Sequence, residues 1–145
     1  MSGLNSIPAR VGAGTDPSFR TENLKPLLLQ IEQALRDLIG QASETVIDLG
    51  AMPFSAQDER DLRELLGRGE VRATIDAFGP TLLEETACPG VWLVEHQDAE
   101  RRRLTLQLEI TRIPKLLVTP PDDLVDGLAA LSGLNAPDAP TEDVK

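Results

Sequence analysis

LTLQLEIT, residues 104–111, is the clearest alternating stretch of the sequence and decides the fold class. Every second residue is apolar, as in a strand that buries one face and leaves the other nearer to solvent. The alternation predicts a strand over residues 104–113. Its core face is expected to consist of four side chains: Leu104, Leu106, Leu108 and Ile110. The polar side chains between them are expected to be more exposed.

Four further strands are predicted upstream of this stretch. They are residues 45–49, 70–76, 81–87 and 91–96. Pro89-Gly90 and residues 97–100 supply turns that are short enough for antiparallel hairpins. Because consecutive hairpins pair neighbouring strands, a meander is the simplest topology.

Three amphipathic helices are predicted around the strands. The first begins at Leu24 and ends near Gly40, with apolar residues at helical spacing. The second follows Ser55, whose hydroxyl is expected to cap the free N–H groups, and runs through Leu66. The third is opened by Thr119-Pro120-Pro121-Asp122-Asp123, where the Thr119 hydroxyl is expected to cap the helix. Its apolar face is expected to contain Leu124, Val125, Leu128, Ala129 and Leu131. The predicted architecture is a two-layer α+β domain, an antiparallel β-meander sheet with helices packed on one face.

The length of 145 residues fits one compact domain with flexible ends. Residues 1–23 are rich in Gly, Pro, Ser and Thr and have no sustained apolar period, so we expect a flexible or surface-lying N-terminal arm. Residues 24–134 carry the predicted single domain. Residues 135–145 are acidic, contain Pro and have little to bury, which predicts a disordered tail.

Charge and composition exclude several classes of function. The formal net charge is −10, so nucleic acid is not an expected partner. The sequence has no apolar run long enough for a membrane span and no stretch typical of a secretory signal. Cys88 is the only cysteine, which excludes an internal disulfide and suits a reducing compartment. We therefore expect a cytoplasmic protein.

Candidate catalytic motifs all have a simpler structural explanation. Two Gly-x-Gly pairs, at residues 12–14 and 67–69, lack the strand-to-helix context of a phosphate loop. Glu84 and Glu85 are adjacent in a predicted strand and so point to opposite faces. Cys88 and His96 would be more than about 20 Å apart along an extended segment. We expect no catalytic residue, no cofactor and no metal site, and a redox role for Cys88 is left open.

The strongest candidate for partner binding combines a basic run with the single tryptophan. Arg101, Arg102 and Arg103 form the only basic run and adjoin a predicted hairpin turn, where they are either a solvated rim or a contact for an acidic partner. Trp92 follows the flexible Gly90 and is either a core residue or an apolar anchor. The docking hypothesis places Gly90, Trp92 and the three arginines on one surface.

A set of short motifs resembles the C-terminal module of the HupH/HyaF family of nickel–iron hydrogenase expression and formation proteins. The motifs lie in one order over more than half of the chain. They are Ile47-Asp48-Leu49 with Pro53, LGRGEV at 66–71, Gly79-Pro80, EET at 84–86, PGVW at 89–92, EIT at 109–111 with Ile113-Pro114, and PDDL at 121–124. Family members are often longer, whereas this chain carries one copy of the module.

The resemblance implies an accessory or chaperone protein in the maturation of a nickel–iron hydrogenase. Its expected partners are a hydrogenase subunit precursor, the iron–sulfur small subunit before export or an assembly intermediate, and other maturation proteins. It implies no catalytic residue. The alternatives are a structural subunit of a larger assembly and a small enzyme with an unrecognised site. The oligomeric state is left open, a homodimer included.

Overall fold

The computed structural model describes residues 18–137. Its helices are α1 (Leu24–Gln41), α2 (Ala56–Leu66) and α3 (Pro121–Asn135), and its strands are β1 (Thr45–Asp48), β2 (Arg72–Asp76), β3 (Pro80–Glu85), β4 (Val91–Gln97) and β5 (Arg103–Ile110). Most of the N-terminal arm and of the C-terminal tail predicted from sequence, residues 1–17 and 138–145, lies outside the described residues. The chain divides after Arg112 into two compact units.

The first unit is built on a five-stranded antiparallel sheet with the strand order β1-β5-β4-β3-β2. Strands β2 to β5 form the predicted meander, and β1 is added at the outer edge of β5. Side chains of α1 and α2 share one apolar cluster with one face of β1, β4 and β5. The predicted α+β class is therefore confirmed.

The core lies between these two helices and the sheet. Its buried members are Leu27, Ile31 and Ala34 of α1, Leu62 and Leu66 of α2, and Ile47, Leu49, Val91, Leu93, Leu106, Leu108 and Ile110 from the sheet and its adjoining turn. This packing explains the apolar spacing in α1, α2 and β5, because only residues on the covered face need to be apolar. In β3 and β4, Leu83, Trp92 and Val94 on the other face of the sheet are buried as well.

A β-bulge changes the start of β5. His96 pairs with Thr105 and Gln97 pairs with Arg103, so Leu104 has no partner across the ladder. Leu104 is 63% exposed, and the prediction that it belongs to the core is wrong. An extra residue in one strand reverses the alternation beyond it. The strand also ends at Ile110 rather than at residue 113.

The N-terminus of α2 is closed by a capping box. Ser55 Oγ accepts the N–H of Asp58, and a carboxylate oxygen of Asp58 accepts the N–H of Ser55, at 3.0 Å each. The same Asp58 oxygen accepts the N–H and the hydroxyl of Thr21. Burial opposes ionisation of Asp58, but these hydrogen bonds outweigh it and lower the pKa of the carboxyl. Residues 18–23 of the predicted arm are thus attached to α2.

The second unit contains a short 3-10 helix, Lys115–Leu117, and α3. Helix α3 begins with Pro121 at its first position, and Pro120 occupies the capping position. No side chain caps the helix, so the predicted Thr119 cap is wrong. None of its residues is buried, so the expected apolar face, including Leu124 and Leu128, is exposed. Across the described part of the chain, no helix combines the length and apolarity needed to cross a bilayer.

Candidate functional site

Two hairpin tips of the first unit lie in contact at one end of the sheet. The β2–β3 turn contains Phe78 and Gly79, and the β4–β5 turn occupies residues 98–102. A Cβ atom on Gly79 would lie 2.4 Å from the carbonyl oxygen of Gln97, and the φ of Gly79 is +114°. Only glycine fits this close approach without displacing backbone. The two tips therefore form one continuous surface, which we call the two-hairpin surface, residues 77–79 and 98–102.

Asp98 organises the β4–β5 tip. One of its carboxylate oxygens accepts the N–H groups of Glu100 and Arg102 at 2.9 Å each. The other accepts the side chain of Arg102 at 3.0 Å, and Arg102 also contacts Glu100 at 3.1 Å. Such side-chain bonds to turn N–H groups fix the conformation of a short loop. The tip is thus held by its own polar groups.

The three consecutive arginines lie in different environments. Arg103 reaches Glu59 of α2 at 2.8 Å and Glu95 of β4 at 3.1 Å. Arg102 is paired within its own hairpin. Arg101 is exposed, has a left-handed φ of 66° and makes no salt bridge with any residue between 18 and 137. The arginine run is therefore one exposed cation followed by two that are internally paired.

The Arg103 contacts join the hairpin to α2. The hydrogen bond from Arg103 lowers the pKa of Glu59, while partial burial acts in the opposite direction and Arg63 adds to the lowering. Arg63 contacts the same carboxylate at 3.0 Å. The β-bulge at the start of β5 turns Arg103 onto the face of the sheet that carries the helices. The ion pair between Arg103 and Glu59 therefore depends on the same bulge that exposes Leu104.

Phe78 is the functional candidate that the sequence analysis missed. Its side chain is fully exposed, and its backbone has a left-handed φ of 51°. A bulky residue in this region is rare and costs about 1–2 kcal/mol. The only sequence signal is its place before Gly79-Pro80, and no periodicity marks it.

Trp92 and Gly90 lie at the opposite end of β4. Trp92 is 4% exposed, and its Nε1 donates a hydrogen bond to the carbonyl oxygen of Thr111 at 3.2 Å. Gly90 has a φ of +90°, close to Leu35 of α1. Gln97 is five positions beyond Trp92, about 17 Å along a strand. The structure does not bring Trp92 together with the arginines, and its role in docking stays a prediction.

A cavity of about 580 Å³ opens beside the C-terminus of α2. It is lined by Arg63, Glu64, Gly67, Arg68, Glu84, Glu85, Thr86 and Leu93. Glu84 pairs with Leu93 and Glu85 with Trp92, which places the two carboxylates on opposite faces of β3 as expected. Glu85 accepts the N–H of Gly90 at 3.1 Å. The cavity is therefore a charged groove in which Glu85 supports the β3–β4 turn.

The remaining reactive side chains are far from one another. Cys88 is exposed in the β3–β4 turn, whereas His96 lies near the other end of β4, with its Nδ1 at 3.0 Å from the hydroxyl of Thr81. Between residues 18 and 137, no three His, Cys, Asp or Glu side chains are grouped so that they could hold a metal ion.

The sequence matches a family model described as "HupH hydrogenase expression protein, C-terminal conserved region" over residues 21–136. The chain belongs to this HupH family. The match covers the helices, the whole sheet and the 3-10 segments, so the fold described above is the fold of the family's C-terminal region.

Curated relatives of this HupH-family chain carry related names. It is 34% identical over 111 residues to "Hydrogenase expression/formation protein HupQ" of Azotobacter chroococcum, a match covering 75% of this chain and 39% of the relative. It is 30% identical over 86 residues to "Hydrogenase-1 operon protein HyaF" of Escherichia coli, covering 59% of this chain and 30% of the relative. The chain thus spans well under half the length of these relatives.

A solved structure has the same fold. "Hydrogenase expression protein HupH" from Thiobacillus denitrificans is 38% identical, with a TM-score of 0.74. The match covers 79% of this HupH-family chain and 95% of that one. The likeness supports the α+β fold described above.

Proposed function

We propose that this HupH-family chain is an accessory protein in nickel–iron hydrogenase maturation that binds a hydrogenase subunit precursor. The preferred client is the iron–sulfur small subunit before export, so the protein acts in the cytoplasm together with other maturation proteins. The observation that carries the proposal is the family match over residues 21–136, supported by relatives named for hydrogenase expression and formation. Because the match covers 39% of that relative, the bound hydrogenase subunit and the maturation step are proposed for this chain alone.

Binding rather than catalysis is the activity that the geometry supports. Two of the charged side chains that line the cavity beside α2 are already engaged: Arg63 contacts Glu59 at 3.0 Å, and Glu85 accepts the N–H of Gly90. A general acid or base needs a free position next to its reactant. The two-hairpin surface, by contrast, exposes an aromatic ring and a cation, which are typical of a protein contact.

The arginine run, Arg101 to Arg103, is our proposed docking region. Arg101 is the cation available to an acidic group of a client, whereas Arg102 and Arg103 shape the surface through their internal pairs. An exposed charge of this kind mainly raises the association rate and makes it sensitive to salt.

A pull-down tests the proposed function. The tagged chain is expressed together with a hydrogenase operon and recovered under gentle conditions, and retained proteins are identified by mass spectrometry. We expect the small-subunit precursor among them, and its absence from a matched sample with the tag alone. Recovery of the tagged chain without any hydrogenase subunit would contradict the proposal.

A structural subunit of a larger assembly is the second candidate. The observation that favours it is α3, which exposes Leu124, Val125, Leu128, Leu131 and Leu134. Apolar stripes of this kind are typical of permanent interfaces. The two functions differ in the state of the hydrogenase: an accessory protein binds the precursor only, whereas a subunit remains in the mature enzyme in a fixed ratio.

A further inference from the structure

We propose that Phe78 is the aromatic anchor of the two-hairpin surface and that it enters an apolar pocket bordered by carboxylates on the hydrogenase subunit precursor. This inference rests on the proposed function and names the residue through which the client is held. The proposed anchor lies beside the arginine run, Arg101 to Arg103, rather than at Trp92 near Gly90.

The conformation of Phe78 is the first argument. An aromatic ring that is fully exposed gains nothing from its own fold, and the left-handed φ of 51° makes the position costly. Backbone strain at an exposed residue persists where surrounding structure imposes it, and such positions cluster at binding sites. Removal of the ring therefore costs the fold little.

The rigidity of the surface is the second argument. Gly79 lies against the backbone of Gln97 and Asp98, so the β2–β3 turn is braced by its neighbour. Asp98 holds the β4–β5 turn through the N–H groups of Glu100 and Arg102. A preformed surface loses less conformational freedom on binding, so its anchor contributes more to affinity.

Charge defines the chemistry of the partner. On the β4–β5 turn, Arg102 pairs with both Asp98 and Glu100, so Arg101 is the cation of this surface without a carboxylate partner among the described residues. A partner carboxylate can pair with Arg101 while its apolar pocket receives Phe78. An aromatic anchor surrounded by polar groups is the usual composition of a binding hot spot.

The test measures affinity for a defined probe, the purified iron–sulfur small-subunit precursor, by biolayer interferometry at low and moderate salt. Phe78→Ala should weaken binding about thirtyfold, equivalent to about 2 kcal/mol, mainly through faster dissociation. Phe78→Tyr should retain binding because it keeps the ring. Arg101→Ala should slow association and reduce its dependence on salt.

Ile39→Ala is the matched control. Ile39 is 84% exposed near the C-terminal end of α1. Its neighbours Leu35 and Leu38 lie close to Gly90, at the end of β4 away from the hairpin tips. The Ile39→Ala variant should bind as the wild type does. Each variant is first compared with wild type by circular dichroism and thermal unfolding, where Phe78→Ala should show an unchanged or slightly raised midpoint.

The outcomes separate this inference from the proposed function. If the wild type binds the precursor and Phe78→Ala binds within twofold of it, Phe78 is not the anchor, although the proposed function stands. If the wild type does not bind the precursor, both are overturned. Loss of binding in Phe78→Ala with retention in Phe78→Tyr and Ile39→Ala supports the inference.

Discussion

Replacement of Asp58 by alanine tests how the N-terminal segment and α2 are held together. Asp58 is 1% exposed, and a single carboxylate oxygen accepts hydrogen bonds from Ser55 N–H and from the N–H and hydroxyl of Thr21. The substitution removes half of the capping box and both contacts to Thr21. It leaves buried or partly buried donors without an acceptor.

The magnitude follows from these contacts. A hydrogen bond to a charged group contributes about 1.5–3 kcal/mol, but bonds that share one acceptor are not additive. Loss of the carboxylate also removes its burial cost, including that of the second oxygen, Oδ1, which has no hydrogen-bond partner. We expect Asp58→Ala to lower the free energy of unfolding by about 2–4 kcal/mol.

Urea unfolding at pH 7 measures the effect. Asp61→Ala is the control, because Asp61 pairs with the exposed Arg20 at 2.8 Å and its loss should destabilise the fold much less than loss of Asp58. Since the pKa of Asp58 is lowered by folding, its contribution is present above the unfolded pKa and is lost as the pH falls through the folded pKa. The difference between wild type and Asp58→Ala should therefore narrow at acid pH. Equal losses for Asp58→Ala and Asp61→Ala at pH 7 would refute this account.

Other substitutions give distinct stability results. Leu106→Ala should lower the free energy of unfolding by about 2–5 kcal/mol in chemical denaturation, because Leu106 is buried. Leu104→Ala should lower it by less than about 1 kcal/mol, because Leu104 is exposed. Similar losses for the two variants would contradict the bulge. Burial raises the pKa of Glu109, His96 acts against this rise and Glu44 adds to it, so ionisation of Glu109 opposes folding as the pH rises above its unfolded pKa. Glu109→Gln should raise the melting temperature above that of the wild type at pH 7, and the difference should disappear at acid pH. An unchanged melting temperature at pH 7 would contradict the claim that ionised Glu109 destabilises the fold. Gly79→Ala should lower the free energy of unfolding by more than about 1 kcal/mol in thermal denaturation, because a Cβ atom at this position would meet the backbone of Gln97. An unchanged melting midpoint would contradict the close contact between the two hairpin tips.

Local sequence signals predicted the elements whose structure depends on local physics. The helix after Ser55 begins where the hydroxyl and Asp58 complete a capping box, and it ends at Leu66 as expected. The alternation in residues 105–110 matches β5, with Leu106, Leu108 and Ile110 all buried. Both signals act over a few residues and need no tertiary partner to be recognised.

The features missed from sequence depend on contacts between distant segments. Alternation alone cannot reveal that Leu104 has no partner across β4, since a bulge is defined by two strands. The exposure of Phe78 depends on the β4–β5 turn that braces Gly79, about 20 residues further along the chain. The sequence predicted that the apolar stripe of α3 faces a core, whereas the structure leaves it exposed. Helical periodicity shows that apolar residues share one face of a helix, but it does not show what covers that face.

The most direct measurement follows one cohort of hydrogenase small subunit through maturation. Cells that express the operon and the tagged chain are pulse-labelled, and the tagged chain is recovered at intervals to quantify labelled precursor and mature subunit. The account predicts that label is associated early as precursor and disappears from the tagged chain as mature hydrogenase accumulates. Label that remains bound at a constant ratio in the mature enzyme, or that never associates with the chain, would contradict a role as a maturation accessory protein.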